Sequence, residues 1–358
     1  MNIPFTTLLR GLVALSIIVS LVAFTGCDDQ VLPIDNGQDS TASYRIFYSL
    51  FTQDPFPQFV ENRIINQDGT GDKAYAGTQS FYLQSPPAKG YAAYARSNDS
   101  VNVVDIESGE IVSRIPRKYG KQINFYSVSI SPLADKVAYS VYYNDAEYIT
   151  SKLETTRVVV ADLNTGDQVL LSAGARYESY TRFSPDGQYI TFAELDKDGD
   201  GNSGWLFVAN VDGSDTRKIA EIRNIPHDGH MHLTWSPDSK EIAYTDFADH
   251  NLYIAAVDGS GKRSLGFGAY PAWSPDGSRI VVADSVGISL ITPTGEKESI
   301  NIFSRFSQWS PDGNHLLLFE IDPYIEFDRQ VPSMLVYNLK TKEQQVLSTS
   351  SMIGFWIE

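Results

Sequence analysis

Two short segments of this sequence carry side chains that could bind metal ions, and the first of them is acidic. Residues 196–202 read Asp-Lys-Asp-Gly-Asp-Gly-Asn, so that a possible oxygen ligand stands at every second position. This is the pattern of the first half of an EF-hand calcium loop, although the twelfth position is Phe207 and not the usual glutamate. Bound Ca²⁺ would offset the repulsion between the carboxylates, whereas the alternative is a solvated acidic turn. The expected calcium ligands are Asp196, Asp198, Asp200 and Asn202.

The second segment, residues 227–232, reads His-Asp-Gly-His-Met-His and holds three of the five histidines. His230 and His232 are two residues apart at what should be the start of a strand, where alternation would direct both side chains to one side. Imidazole clusters suit Zn²⁺, Cu²⁺ or Ni²⁺. The segment therefore predicts a transition-metal site formed by His227, His230 and His232. The alternative is a polar loop whose histidines bond backbone carbonyls or a ligand.

The first 26 residues have the pattern of a targeting segment that ends before the single cysteine. Arg10 supplies a positive charge, and residues 11–24 form an apolar run that is too short to span a membrane comfortably. Gly26-Cys27 at the end of this run resembles the lipidation site of bacterial lipoproteins, which implies that Cys27 carries a lipid. We expect a signal peptide at 1–26, the lipidated cysteine with a flexible tether at 27–43, and one folded domain at 44–358.

The residue after the cysteine bears on where such a lipoprotein would be held. Asp28 resembles the inner-membrane retention signal of enteric lipoproteins. That resemblance favours the periplasmic face of the inner membrane, and the outer membrane or the cell surface stays open because the rule does not hold in all bacteria.

Composition excludes several classes of partner. The 358 residues include 28 Lys and Arg against 44 Asp and Glu, which gives a formal net charge of −16 without any basic block. This charge argues against nucleic acid and against electrostatic attraction to anionic lipid, and it permits cation binding. Because Cys27 is the only cysteine, no disulfide within the chain is expected.

A repeated phrase predicts the strands that carry these segments. Trp273-Ser274-Pro275-Asp276-Gly277, followed by an apolar β-branched run, recurs with small changes at 183–187, 235–239 and 309–313. Proline presets φ for the first turn position, aspartate bonds back to the backbone and glycine takes the φ > 0 position. Weaker copies stand at Ser85-Pro86 and Ser131-Pro132. Each copy therefore predicts an inner strand that ends in a tight turn.

A second landmark, a glycine-centred hairpin after an apolar strand, recurs in step with the first. Its glycines are Gly69, Gly109, Gly166, Gly213, Gly259 and Gly295, and residues 338–342 form a glycine-free equivalent. Residues 353–357 resemble a seventh inner strand, with Trp356 in the place of Trp309. The segments 44–51, 60–66 and 73–78 would supply the other three strands of that blade. We predict an all-β propeller of seven four-stranded blades closed by the C-terminal strand, with six blades and an appendage as the alternative.

The Trp-Ser-Pro-Asp-Gly phrase resembles the PD40 (WD40-like) repeat of TolB-type propellers. Relatives with this repeat include periplasmic scaffolds, propellers of prolyl-oligopeptidase-type peptidases and oligogalacturonate lyases. The sequence has no Gly-x-Ser-x-Gly elbow, so serine peptidase activity is not expected. The histidine segment resembles the Gln-x-x-His-x-His metal motif of the lyases, with His227 in the place of the glutamine. The acidic segment resembles calcium-binding hairpin loops of other propellers.

We therefore expect a membrane-anchored cell-envelope propeller that serves as a binding module or scaffold for an envelope protein or a polysaccharide. The alternative is a metal-dependent, lyase-like enzyme that uses the histidines at the channel mouth, although no complete catalytic constellation is visible. The tryptophans of the repeat are expected in the core and not in an aromatic cage. Tyr142-Tyr143 and the insertion at 323–328 are candidate contact surfaces.

Overall fold

The structure is a computed structural model, and it describes ten ranges of the folded domain. They are residues 44–52, 58–77, 85–97, 99–120, 122–143, 155–171, 177–195, 203–224, 233–321 and 331–357. Strands and turns make up these ranges. None of them contains a helix of the length and hydropathy needed to cross a bilayer.

The first half of the domain forms four blades. Blade 1 begins with β1 (Arg45–Thr52), β2 (Gln58–Asn66) and β3 (Lys73–Ala74). Blade 2 has β4 (Tyr91–Ser97), β5 (Ser100–Asp105) and β6 (Ile111–Pro116). Blade 3 has β7 (Gln122–Ile130), β8 (Lys136–Tyr143), β9 (Thr155–Asp162) and β10 (Gln168–Leu171). Blade 4 has β11 (Tyr177–Phe183), β12 (Tyr189–Leu195), β13 (Gly204–Asn210) and β14 (Arg217–Ile222).

The second half continues the pattern and ends where the domain began. Blade 5 has β15 (Leu233–Trp235), β16 (Glu241–Asp246), β17 (Asn251–Ala256) and β18 (Lys262–Phe267). Blade 6 has β19 (Ala269–Trp273), β20 (Ile280–Asp284), β21 (Gly287–Ile291) and β22 (Lys297–Ile300). Blade 7 has β23 (Ser304–Trp309), β24 (His315–Glu320), β25 (Ser333–Asn338) and β26 (Gln344–Ser348). The last strand, β27 (Ser351–Ile357), returns to blade 1.

The sheets confirm the seven-bladed arrangement. Six of them are antiparallel and four-stranded, and blade 2 shows three strands among the described residues. The sequence places the inner strand of blade 2 before the Ser85-Pro86 turn, and residues 78–84 lie outside the described ranges. The alternative of six blades with an appendage is wrong, because β1, β2 and β3 form a complete blade with β27.

The ring closes through the C-terminal strand, as the sequence predicts. Strand β27 pairs antiparallel with β1, from Arg45 opposite Ile357 to Leu50 opposite Ser351. The seam to the last blade is tied by Gln308, whose Nε2 donates a hydrogen bond of 2.9 Å to the carbonyl of Gly354. The first and last blades of the chain therefore hold each other in place.

Adjacent blades are held together by apolar side chains that alternate along their strands. On β24, for example, Leu316 and Leu318 face blade 6 and pack in one cluster with Val281 and Leu290. Equivalent clusters fill the seams between blades 1 and 2, 2 and 3, 3 and 4, 4 and 5, and 5 and 6. Trp235 and Trp273 are buried in two of them, while the half-buried Trp309 packs against the cluster between blades 6 and 7. Burial of this apolar surface is the main force that stabilises the ring.

Antiparallel order gives the ring two different faces. We call the end that carries the turns between first and second strands, and between third and fourth strands, the turn face; in blade 5 these are 236–240 and 257–261. The opposite end, the connector face, carries the links between second and third strands and between blades, such as 247–250 and Gly268. The chain enters blade 1 at the turn face, where the carbonyl of Tyr44 accepts a 2.9 Å hydrogen bond from the Gln67 N–H.

The buried hydroxyl of Ser274 organises the turn that the repeated phrase forms. Ser274 donates a hydrogen bond of 2.6 Å to Asp276 and accepts one of 2.9 Å from the N–H of Arg279. Gly277 has φ 72° and donates its N–H to the Ser274 carbonyl at 2.9 Å. The same contacts recur around Ser184, Ser236 and Ser310. The phrase therefore builds the turn face and does not form a site.

Replacing Ser274 by alanine should lower the free energy of unfolding by about 1–3 kcal/mol at neutral pH, because the part-buried N–H of Arg279 loses its acceptor. Burial tends to raise the pKa of Asp276, but hydrogen bonds from Ser274 and Ser278 bring that pKa below its ordinary value. A carboxylate with a lowered folded-state pKa contributes stability at neutral pH that is lost as the pH falls through that pKa. The difference in the free energy of unfolding between the wild type and Ser274→Ala should therefore be smaller in acid. Urea unfolding of both proteins at about pH 7 and about pH 3 measures this difference.

The matched control is Ser278→Ala in the same turn. The hydroxyl of Ser278 also donates to Asp276, at 2.8 Å, but it is exposed to solvent. Its loss should cost less than about 0.5 kcal/mol. Equal losses for the two variants would contradict the role given to the buried hydroxyl of Ser274.

Candidate functional site

The predicted site residues lie outside the part of the chain that the structure describes. This applies to the lipidation residue Cys27, to the calcium segment 196–202 and to the histidine segment 227–232. Within the described ranges, no group of three or more His, Cys, Asp or Glu side chains is placed to hold a metal ion. Both metal sites and the lipid therefore stay predictions.

Strand topology nevertheless shows where the calcium and histidine segments are attached to the ring. The calcium segment joins Leu195, the end of a second strand, to the third strand that begins at Gly204. The histidine segment joins the last strand of blade 4 to Leu233, the first residue of β15. Both attachments are at the connector face. The other long links, 144–154 and 321–332, are attached at the same face, whereas the turn face has short turns.

Three half-buried aromatic side chains form an arc at the connector end of blades 5, 6 and 7. Phe247 follows β16, and Tyr270 and Phe306 lie on the inner strands β19 and β23. The rings of Phe247 and Tyr270 are edge to face with centroids 6.4 Å apart, and those of Tyr270 and Phe306 are edge to face at 5.5 Å. Because inner strands border the central channel of a propeller, this aromatic arc lies at the channel mouth.

The aromatic arc depends on a bulge that recurs in the inner strands. The pairing of β19 with β20 shifts register between Ala269 and Ala272, and that of β23 with β24 shifts between Ser304 and Ser307. Tyr270 and Phe306 lie within these bulges, and Tyr270 has φ 56°. A bulge re-aims side chains, and a left-handed backbone costs an aromatic residue about 1–2 kcal/mol. The surrounding structure therefore holds Tyr270 in a conformation that its own backbone disfavours.

A second feature of the connector face is a repeated acidic position. In each of the last four blades, the residue ten positions after the turn serine is acidic and lies near the connector end of the second strand. Alternation along the strand directs this residue into the seam with the preceding blade, where Leu318 also packs. The four residues are Glu194, Asp246, Asp284 and Glu320.

Two of these acids have cationic partners within the protein. Asp246 is fully buried and lies 2.9 Å from Nε of Arg223, which comes from blade 4. Asp284 lies 2.7 Å from Nζ of Lys297 and accepts a 2.6 Å hydrogen bond from Ser289. Although burial tends to raise the pKa of Asp284, the hydrogen bonds from Lys297 and Ser289 bring it below its ordinary value.

Glu320 differs from Asp246 and Asp284. Burial raises the pKa of its half-buried carboxyl, and no cation pairs with it among the side chains that the structure describes. It stands opposite Ser304 in the ladder between β23 and β24, close to the bulge that carries Phe306. Among the side chains that the structure describes, the seam between blades 6 and 7 thus combines a carboxyl that has no cationic partner with two aromatic rings.

Arg182 is a cationic residue on the inner strand of blade 4. Its Nη1 donates a 2.9 Å hydrogen bond to the Thr181 carbonyl, and it forms no ion pair within the described ranges. Burial lowers the pKa of Arg182 to about 10, so the guanidinium stays charged at neutral pH. The indole N–H of Trp235 donates to the carbonyl of Arg182 at 3.3 Å, which ties blades 4 and 5.

Sequence reasoning did not single out the aromatic arc, although a signal for it exists. Tyr270 and Phe306 each stand three residues before the tryptophan of the repeated phrase. The same position is Tyr180 in blade 4 and His232 in blade 5. Alignment of the repeats on the aromatic residue of the phrase, which is Phe183 in blade 4, therefore finds a row of ring-bearing side chains. Trp235, Trp273 and Trp356 are buried, and the half-buried Trp309 packs against a core cluster.

Comparison with known proteins supports the fold and little beyond it. No family model matches the chain. An uncharacterized peptidase, YuxL of Bacillus subtilis (strain 168), is 27% identical over 106 residues, which cover 28% of this chain and 15% of that protein. So short a match does not show a family.

Solved structures with a similar fold indicate the class of protein. A puromycin hydrolase aligns over 86% of this chain and 52% of its own, with a TM-score of 0.59 and 13% identity. TolB from Acinetobacter baumannii aligns over 87% of this chain and 66% of its own, but its TM-score of 0.47 at 15% identity carries no argument. This chain thus spans about half of the hydrolase. Together with the order of the strands in the sheets, the similarity defines a seven-bladed β-propeller.

Proposed function

We propose that this protein is a lipid-anchored propeller of the bacterial cell envelope that binds another protein or an envelope polymer through its connector face. The anchor is the predicted lipid on Cys27, and the proposed location is the periplasmic face of the inner membrane. Tyr44, the first described residue of the domain, lies at the turn face. The connector face is at the opposite end of the ring.

The difference between the two faces carries this proposal. The turn face is built from short turns whose polar groups bond within the turn, as around Ser274. The connector face has the long links, the aromatic arc and the carboxyl of Glu320. Long links on a rigid scaffold commonly carry binding residues, and aromatic side chains are enriched in the centres of interfaces.

We retain the predicted metal sites as part of the proposal. Calcium bound by the segment 196–202 would stiffen a link that is attached to the connector face, and a transition metal bound by His227, His230 and His232 would lie in the link before β15. The hydrolase relative supplies no activity for this chain, which spans about half of it. No described residue favours the lyase alternative.

The proposal is tested by placing a diazirine side chain on each face of the full-length protein in its native envelope. Val286, in the link between β20 and β21, is 48% exposed on the connector face, and Leu133, in the turn after β7, is 57% exposed on the turn face. We expect a specific protein or polymer adduct from position 286 and none from position 133. Adducts of equal yield from both positions, or from position 133 alone, would contradict binding through the connector face.

A further inference from the structure

We propose that the seam between blades 6 and 7 binds a lysine or arginine side chain from a basic segment of a partner protein. In this arrangement the carboxylate of Glu320 pairs with the cation, and the rings of Tyr270 and Phe306 contact its apolar stem and charged head. This inference rests on the proposed function, because it names the chemistry of the partner that the connector face receives.

The position of Glu320 follows from the register of β24. Leu316, Leu318 and Glu320 share one side of this strand, and the two leucines pack against blade 6. Glu320 therefore continues the buried row into the seam at the connector face. Its Cα partner on the inner strand is Ser304, whose hydroxyl donates a 2.7 Å hydrogen bond to the Phe306 carbonyl and accepts one from the Phe319 N–H at 2.9 Å.

The aromatic half of the site lies in the same seam. Phe306 belongs to blade 7 and Tyr270 to blade 6, and their edge-to-face contact spans the boundary between the blades. The face of an aromatic ring attracts a cation, more strongly where water is excluded, as beside half-buried side chains. Both rings lie in register bulges, which fixes them at the channel mouth.

In two other seams the protein itself supplies a cation to the acid of the repeat. Arg223 neutralises the acid of the blade 4–5 seam, and Lys297 neutralises the acid that faces blade 5 from blade 6. In the blade 6–7 seam the chain following β22 supplies Asn301 and Ile302 where blade 4 has Arg223 after β14. A half-buried carboxylate without a cationic partner is unfavourable, and a cation from a ligand would relieve this cost.

Charge and coordination select the kind of ligand. The net charge of −16 favours a cationic partner over an anionic polymer. One carboxylate beside two aromatic rings offers too few oxygen ligands for Ca²⁺ or Mg²⁺, which need about six. An ammonium or guanidinium group on an alkyl stem uses both the carboxylate and the rings.

The test measures binding of two capped tripeptides, acetyl-Gly-Arg-Gly-amide and its citrulline analogue, to the full chain by NMR titration. Citrulline has the shape of arginine without its charge. We expect the arginine peptide to bind and the citrulline peptide to bind at least about tenfold more weakly. Glu320→Gln should weaken arginine-peptide binding by about tenfold, and Phe306→Leu by about threefold to tenfold.

Glu296→Gln is the matched control, because it removes the same charge from an exposed residue of the turn face and should leave binding unchanged. Equal affinity for the two peptides, as a site for a neutral polymer would give, overturns the inference. Unchanged affinity in Glu320→Gln, a substitution at a half-exposed residue that should preserve folding, also overturns it. If position 286 yields an adduct but Glu320→Gln changes nothing, the proposed function stands without this site. If the arginine peptide binds selectively but position 286 yields no adduct, the site at Glu320 stands and the proposed function fails.

Discussion

Deleting residues 353–358 should abolish cooperative folding of the whole domain. The deletion removes Phe355, Trp356 and Ile357, which are buried, together with most of the pairing between β27 and β1. Each such side chain contributes about 1.5–3 kcal/mol by burial, and the sum approaches the total stability of a typical domain, about 5–15 kcal/mol. The exposed edge of β1 would also favour aggregation. Thermal unfolding followed by circular dichroism should show no transition, or one far below that of the full chain.

Two further samples separate loss of the closing strand from a nonspecific effect of truncation. Addition of a synthetic peptide with the sequence of residues 351–358 should restore a cooperative transition, because it supplies the missing strand in trans. The graded variant Phe355→Ala should keep the ring closed but cost about 3–5 kcal/mol. If the truncated chain unfolds at the same temperature as the full one, closure by the C-terminal strand does not stabilise the ring.

The closing strand could be predicted from sequence because it repeats a local pattern. Trp356 occupies the position of Trp309 in the repeated phrase, and an unpaired inner strand at one terminus requires three outer strands at the other. The predicted segment at 44–51 corresponds to β1, and that at 60–66 lies within β2. The third is predicted at 73–78, whereas β3 covers only Lys73–Ala74. The prediction is too long because so short an outer strand has little sequence signal.

The candidate site was less predictable, for two physical reasons. The orientation of Tyr270 and Phe306 depends on register bulges, and a bulge is set by the fit between strands and not by residue type. The state of Glu320 depends on whether the neighbouring blade supplies a cation, which the repeated acidic position cannot reveal. Asp246 has the same place in the repeat, but the neighbouring blade supplies Arg223 as its cation.

Replacing Arg223 by leucine should destabilise the domain by about 3 kcal/mol, at the low end of the range for breaking a buried ion pair. The variant leaves the carboxylate of Asp246, which is fully buried between blades 4 and 5, without its cation. We expect a loss at the low end of this range because Arg223 itself is 40% exposed, so that water can reach part of the space that its side chain leaves. Urea unfolding of the full chain at neutral pH measures the loss.

The double variant Arg223→Leu with Asp246→Asn should recover much of that loss. Asparagine is uncharged and keeps the oxygen that accepts the 3.0 Å hydrogen bond from the Ala248 N–H. The control Arg263→Leu breaks an exposed ion pair with Glu241 and should cost less than about 1 kcal/mol. If Arg223→Leu costs no more than this control, the buried carboxylate does not need a partner, and the contrast between Asp246 and Glu320 loses its physical basis. A large loss that the double variant reverses would show that the acids of the repeat require a cation, which the protein supplies at Asp246 and a ligand would supply at Glu320.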